Sequence, residues 1–185
     1  TQKLISSTDG KYLYPGAYFA SPDLTKVAYT TRTAKDYRVW VNEDESKPYL
    51  HINTLRFSRD SKSFAFIARK NEGWCVVVDG VEGETYDFIV PYSLIMMSNC
   101  KDYIYVARKG DTFHLVKTGI ESIGYADIAS IHASEFSDDY AFMHKYLGFV
   151  CKIAVNGGEL EKYESVSSFS FSPNGHFGFY AKEIK

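Results

Sequence analysis

The chain has 185 residues, 45% of them hydrophobic and 16% aromatic, with 15 Tyr, 13 Phe and a formal net charge of -2. That is enough chain for one buried core, and the near-neutral balance gives no electrostatic footprint for nucleic acid or an anionic membrane. No stretch reaches 18 consecutive apolar residues, TQKLISSTDG lacks a signal-peptide core, and Cys75, Cys100 and Cys151 without CxxC spacing argue against a disulfide scaffold or a zinc site.

The chain opens with KLISSTDGKYLYPG (3–16), which reads as two short strands around a turn. YFASPDLTKVAYTTR (18–32) follows: a short apolar strand, Ser with Asp close by, then an aromatic-rich strand ending in a base. RVWVNEDESKPYLHI (38–52) adds two more strands around a turn. The same order returns as LRFSRDSKSFAFIAR (55–69) with WCVVVDGVEGETYDFI (74–89), then as IMMSNCKDYIYVAR (95–108) with FHLVKTGIESIGYADI (113–128). A further unit joins SEFSDDYAFMHK (134–145) to CKIAVNGGELEKYESV (151–166), and SFSFSPNGHFGFYAK (168–182) closes the chain. Aligned on Ser21, Ser58, Ser98, Ser137 and Ser172, the units are spaced 37, 40, 39 and 35 residues apart.

Each unit predicts four short antiparallel strands, a to d, joined by hairpins whose Asp, Asn and Gly tolerate positive φ. Aromatic and β-branched residues favour pleated surfaces, and no segment sustains a 3.6-residue apolar period. An all-β, four-stranded repeat selects a β-propeller. The opening tract supplies only a c–d half and the closing tract only an a–b half. Joined, they complete a fifth blade from 1–16 and 168–185, beside blades 17–53, 54–90, 91–130 and 131–167. The expected fold is one five-bladed propeller with Thr1 and Lys185 side by side. A monomer is expected, with a strand-exchanged dimer as the alternative. Cys75 and Cys151 fall at matching strand positions two blades apart, too distant to bridge, and free thiols are expected.

FSRDSKSFAFIAR and FSPNGHFGFYAK resemble the WD-repeat-like units of TolB-type propellers, whose usual form is FSPDGK, an apolar strand and Arg. WCVVVDGVEGETYD is similar to a c–d hairpin of that group. The resemblance covers essentially the whole chain and implies architecture, not chemistry. MMSNC (96–100) and EFSDD (135–139) depart from it by lacking Pro and Gly. The count of five comes from length, since members of that group usually have six or more blades.

Three sets of residues offer function. A base follows strand b in every unit: Arg32, Arg69, Arg108, Lys145 and Lys182. A ring of them on one rim would bind an anion through charge-assisted bonds; the alternative is local pairing. Strand d carries Tyr14, Tyr49, Tyr86, Tyr125 and Tyr163, which either stack on sugars or pack blade against blade. On strand a, Ala20, Phe57, Met97, Phe136 and Phe171 read as core. Arg56 and Glu135 are the only charges on the other face and so are channel candidates.

Catalysis lacks its parts. A propeller glycosidase needs two carboxylates about 5–10 Å apart, and only Glu135 sits on an inner strand. GxSxG, HExxH, GxGxxG and the P-loop are missing, and His51, His114, His132, His144 and His176 have no ligand spacing. No metal or cofactor is expected. The preferred function is a non-catalytic module that binds a protein or peptide. Alternatives are a glycan- or anion-binding module, the gate excised from a larger serine hydrolase as the resemblance allows, or an engineered repeat protein.

Overall fold

In the computed structural model, residues 12–145 and 150–184 are described, with side chains from residue 18 onward. Every described element is a strand, and the strands form four antiparallel sheets. Sheet one holds β1 (Tyr12–Ala20), β2 (Val27–Arg32), β3 (Tyr37–Val41) and β4 (Asp44–Glu45) in that order. Sheet two repeats it with β5 (His51–Phe57), β6 (Phe64–Arg69), β7 (Trp74–Val78) and β8 (Val81–Glu82). In sheet three the inner strand is split into β9 (Phe88–Ile89) and β10 (Ile95–Met96), both paired with β11 (Tyr103–Lys109). β12 (Thr112–Lys117) and β13 (Ile120–Glu121) complete that sheet. Sheet four runs β14 (Ile128–Ala133), β15 (Tyr140–Lys145), β16 (Cys151–Val155), β17 (Gly158–Phe171) and β18 (Phe177–Glu183). The first two sheets belong to one compact unit, Thr1–Thr85, and the last two to another, Tyr86–Lys185.

The c–d hairpin turns explain why these tracts fold alike. Asn42, Asp79, Thr118 and Asn156 all sit at positive φ, a conformation that Asn and Asp tolerate and two-residue hairpins require. Each brackets the first residue of its own strand b. The Asn42 amide donates to the Val27 carbonyl at 2.9 Å while its Oδ1 accepts from the Val27 amide at 2.9 Å. Asp79 does the same to Phe64, Thr118 to Tyr103 and Asn156 to Tyr140.

The a–b turns are equally regular, but in a different register from the serine alignment. The Ser21 amide donates to the Lys26 carbonyl and the Ser58 amide to the Ser63 carbonyl, each at 2.9 Å. The counterparts are Met97 to Asp102 at 2.9 Å and Ser134 to Asp139 at 2.8 Å, not Ser98 and Ser137. The turn is closed by backbone groups, so Met97 serves as well as serine. True spacing over Ser21, Ser58, Met97, Ser134 and Ser172 is therefore 37, 39, 37 and 38 residues. This correction moves Phe136 off strand a. It lies in the turn after β14, 54% exposed, and is not core.

Burial follows the pleat. In β6 every residue from Phe64 to Ala68 is buried, the mark of a strand covered on both faces. Ala28, Val39, Leu55, Phe66 and Val77 share one core in the first unit. Met97, Val106, Leu115 and Phe142 share another in the second, where Phe169 packs with Ala141 and Ile153. Each large apolar side chain so covered contributes about 1.5–3 kcal/mol.

The fifth blade does not stand as a separate sheet among the described residues. β17 continues through position 167, the expected blade boundary. It pairs with β16 through Tyr163 and with β18 from Tyr163 to Phe171. The closing hairpin thus extends sheet four. The KLIS tract and the Thr1–Lys185 neighbourhood lie outside the described residues. Cys75, Cys100 and Cys151 form no disulfide, but Cys75 faces Ala68 whereas Cys151 faces Lys145, so their strand positions differ by one.

Candidate functional site

The five bases do not share one environment. All are exposed at or next to the last residue of strand b. Lys145 pairs with Asp127 at 2.8 Å, which raises its pKa, and Lys182 pairs with Glu164 at 2.6 Å. Arg32 lies over the Tyr37 ring at 5.3 Å and Arg108 over Phe88 at 6.0 Å. Arg69 sits opposite Trp74 and His51 and helps to hold the His51 pKa down, behind the larger effect of burial. Two of the five charges are thus neutralised by local carboxylates, and two arginines lie over neighbouring rings.

Arg56 is on β5, half-buried, with Nη1 donating to the Leu55 carbonyl at 3.0 Å. Glu135 is exposed in the turn after β14 and is not on a strand. The two are therefore not equivalent positions of the repeat.

The tyrosines form a recurring joint. Tyr49 meets Phe66 edge-on at 5.6 Å and 76°, Tyr86 meets Tyr105 at 6.0 Å and 77°, and Tyr125 meets Phe142 at 5.4 Å and 71°. Tyr163 meets Phe179 at 5.2 Å and 68°. Each time a strand d tyrosine packs on the strand b aromatic of the next repeat, the geometry that ring quadrupoles prefer. The Tyr14 side chain lies outside the described residues.

Four residues before each of these tyrosines stands a glutamate: Glu45, Glu82, Glu121 and Glu159. Sequence reasoning missed this column, although the ExxxY spacing recurs in every complete unit. Each glutamate has a cation: Arg38 for Glu45 at 3.3 Å, Lys109 for Glu121 at 3.5 Å, and Lys152 for Glu159, whose other oxygen lies 3.2 Å from the His144 ring. Glu82 has most, with Lys47 and Lys70 each at 3.2 Å and the Tyr49 hydroxyl donating at 3.1 Å. Burial alone would raise the Glu82 pKa, but these three donors outweigh it and the value falls. Lys152 leads the corresponding lowering at Glu159. Tyr49 is pushed up by burial and by the Glu82 charge.

Other displaced carboxylates are tied to turns. Asp23 is lowered chiefly by the Ser21 hydroxyl, Asp102 by Asn99 and Asp139 by Ser137. A carboxyl held ionised by hydrogen-bond donors is a structural anion rather than a proton shuttle.

Open concave surface lies elsewhere. Within the second unit, a cleft of about 710 Å³ runs between sheets three and four. Its apolar wall is Leu115, Ile120, Ile123, Tyr125, Tyr140 and Phe142. Asp102, Glu121 and Glu159 line it, with Lys117 as the single base among the described lining residues. Ile120 and Ile123 are 77% and 71% exposed at its edge. A hollow of about 260 Å³ in the first unit is lined by residues that include Asp36, Pro48, Tyr49 and Lys70. Among the described residues, no three His, Cys, Asp or Glu side chains gather as a metal site, and no helix is long and apolar enough to cross a membrane.

No protein-family model and no curated protein matches the chain. Solved structures do. TolB from Acinetobacter baumannii superimposes with a TM-score of 0.54 at 18% identity, over 89% of this chain and 47% of that one. An acylaminoacyl peptidase from Pyrococcus horikoshii gives a TM-score of 0.46 at 14% identity, over 91% of this chain and 35% of that one. The chain spans about half the length of the TolB structure. At this identity the likeness establishes the fold: the repeats form a TolB-type, propeller-like structural motif.

Proposed function

We propose that the chain is a non-catalytic binding module that engages a protein or peptide. The observation that carries this reading is the apolar-edged cleft of the second unit, which combines exposed Ile120 and Ile123 with convergent polar groups. The repeat's perturbed carboxylates support it from the other side, because each is committed to a turn or to a neighbouring cation. The anion-ring alternative has no comparable support, since Lys145 and Lys182 already carry local counter-ions.

The same reading includes a ring of five blades, the last completed from 1–16 and 168–185. Its support is that β17 passes without a break from a strand d position into a strand a position, and that β18 follows it as a strand b. Native mass spectrometry tests the closure: a 21.0 kDa monomer is expected, and an obligate dimer would replace it with strand exchange. Selection of a displayed random-peptide library on the immobilised chain tests the binding role. An enriched consensus is the expected outcome; no enrichment, or turnover of ester or peptide substrates, would remove the reading.

A further inference from the structure

We propose that the cleft between sheets three and four is the peptide-binding site itself, and that it takes a lysine or arginine flanked by aliphatic residues. The inference rests on the binding-module reading above and adds the site and the ligand chemistry.

The seam between sheets one and two carries a cation of the chain's own at the corresponding place. There Lys47 reaches from the first sheet to Glu82 of the second at 3.2 Å. The corresponding residue in sheet three is Ile123. Equivalence follows from identical anchoring: the Val39 amide donates to Ser46 Oγ at 2.9 Å and that hydroxyl donates to the Lys47 carbonyl at 2.8 Å. Likewise the Leu115 amide donates to Ser122 Oγ at 3.0 Å, and Ser122 Oγ donates to the Ile123 carbonyl at 2.8 Å. Where the first seam has its own cation, the later one has an exposed aliphatic side chain and an open space of about 710 Å³.

The charge lining that space asks for the missing cation. Three carboxylates face one lysine, and Lys117 lies 3.8 Å from Asp102 and 5.2 Å from the centre of the Tyr140 ring. Glu159 is held by Lys152, whose side chain is only 15% exposed. Glu121 is the exchangeable anion: its partner Lys109 is 64% exposed and 3.5 Å away. Such a pair contributes little and can be replaced. A visiting ammonium or guanidinium on Glu121 would lay its aliphatic stem along Ile120 and Ile123, as long basic side chains do on apolar surface. Tyr125 and Tyr140 line the same space.

The probe is an acetylated, amidated Ile-Lys-Ile-Lys-Ile peptide, compared with versions carrying Gln or Glu in place of Lys. Binding is followed by amide chemical shifts of the full chain at low and at high salt. The Lys peptide is expected to perturb Ile120, Ile123 and Tyr125 and to bind at least about tenfold more tightly than the Glu peptide, or ~1.4 kcal/mol. Added salt should weaken it. Ile123→Lys, which installs the first seam's own closing residue, and Glu121→Gln should each cost binding of similar size. Both positions lie at the edge of the cleft, and unchanged spectra away from it report that each variant is folded. Equal affinity for the three peptides, or full affinity in Ile123→Lys, would overturn the assignment. A library consensus that still binds Ile123→Lys would sink this site yet leave the binding-module reading standing. A library without any consensus would sink both.

Discussion

The two seams use one plan and end differently. Between sheets one and two, Tyr49, Lys47 and Lys70 converge on Glu82, and the cation crosses from one sheet to the next. Between sheets three and four, Tyr125 again packs on strand b, but Glu159 draws its cation, Lys152, from its own sheet, with the His144 ring beside it. The buried half of the joint is thus common to both: ring on ring, with Phe66 and Phe142 at 4% and 1% exposure. The outer half varies. The aromatic contact sits within the buried core of each seam, while the charged rim differs between them.

Deleting the ring should therefore hurt both seams alike. Phe66→Ala and Phe142→Ala are each expected to lose about 3–5 kcal/mol of unfolding free energy, measured by denaturant titration. If one variant proved nearly neutral, the common joint would be wrong for that seam.

The rim should separate them. Glu82→Gln leaves Lys47 and Lys70 facing a neutral amide, and its expected loss is about 1–3 kcal/mol. Glu121→Gln touches only an exposed pair and should stay within about 0.5 kcal/mol. Equal losses would mean that the two rims are energetically the same.

Acid should reveal the same difference. The folded pKa values of Glu82, Glu159, Asp102 and Asp139 lie below their ordinary values. The unfolded chain therefore binds more protons near the ordinary values of ~4.3 for Glu and ~3.9 for Asp. Their stabilisation is complete above that range and is lost as pH falls through the depressed folded values. Thermal midpoints should drop on acidification below that range, and Glu82→Gln should shallow the drop. A midpoint that stays flat across that window in the parent chain would contradict the depressed carboxylates.

How much of this was legible depends on which atoms do the work. The c–d turns were readable because Asn42, Asp79 and Asn156 use their side chains as well as their φ. The tyrosine column was readable because large aromatics stand out at a fixed interval. The a–b register was misread in the third and fourth units because its bonds are between backbone groups, to which Met97 and Ser134 are equivalent. Following the letter Ser instead carried Phe136 and Glu135 onto a strand they do not occupy. The glutamate column went unseen because a surface glutamate among 23 acidic residues has no signature until its neighbours are known. The continuity of β17 past Val166 had no local signal, since the repeat alone placed a blade boundary after position 167.

The smallest effect is the most discriminating. Lys47→Ile gives the first seam the residue that the later seam already has. Lys47 is 66% exposed, and Glu82 keeps Lys70 and the Tyr49 hydroxyl. The expected loss is below about 1 kcal/mol, within reach of a paired denaturation experiment. If Lys47 instead held the sheets together, the loss would approach that of Glu82→Gln, and the same two measurements would show it. A small value would mean that a sheet-to-sheet joint of this repeat tolerates an open, aliphatic rim at almost no cost in stability. Ile123 would then need no structural reason to differ from Lys47, and a selective reason connected with binding would be left.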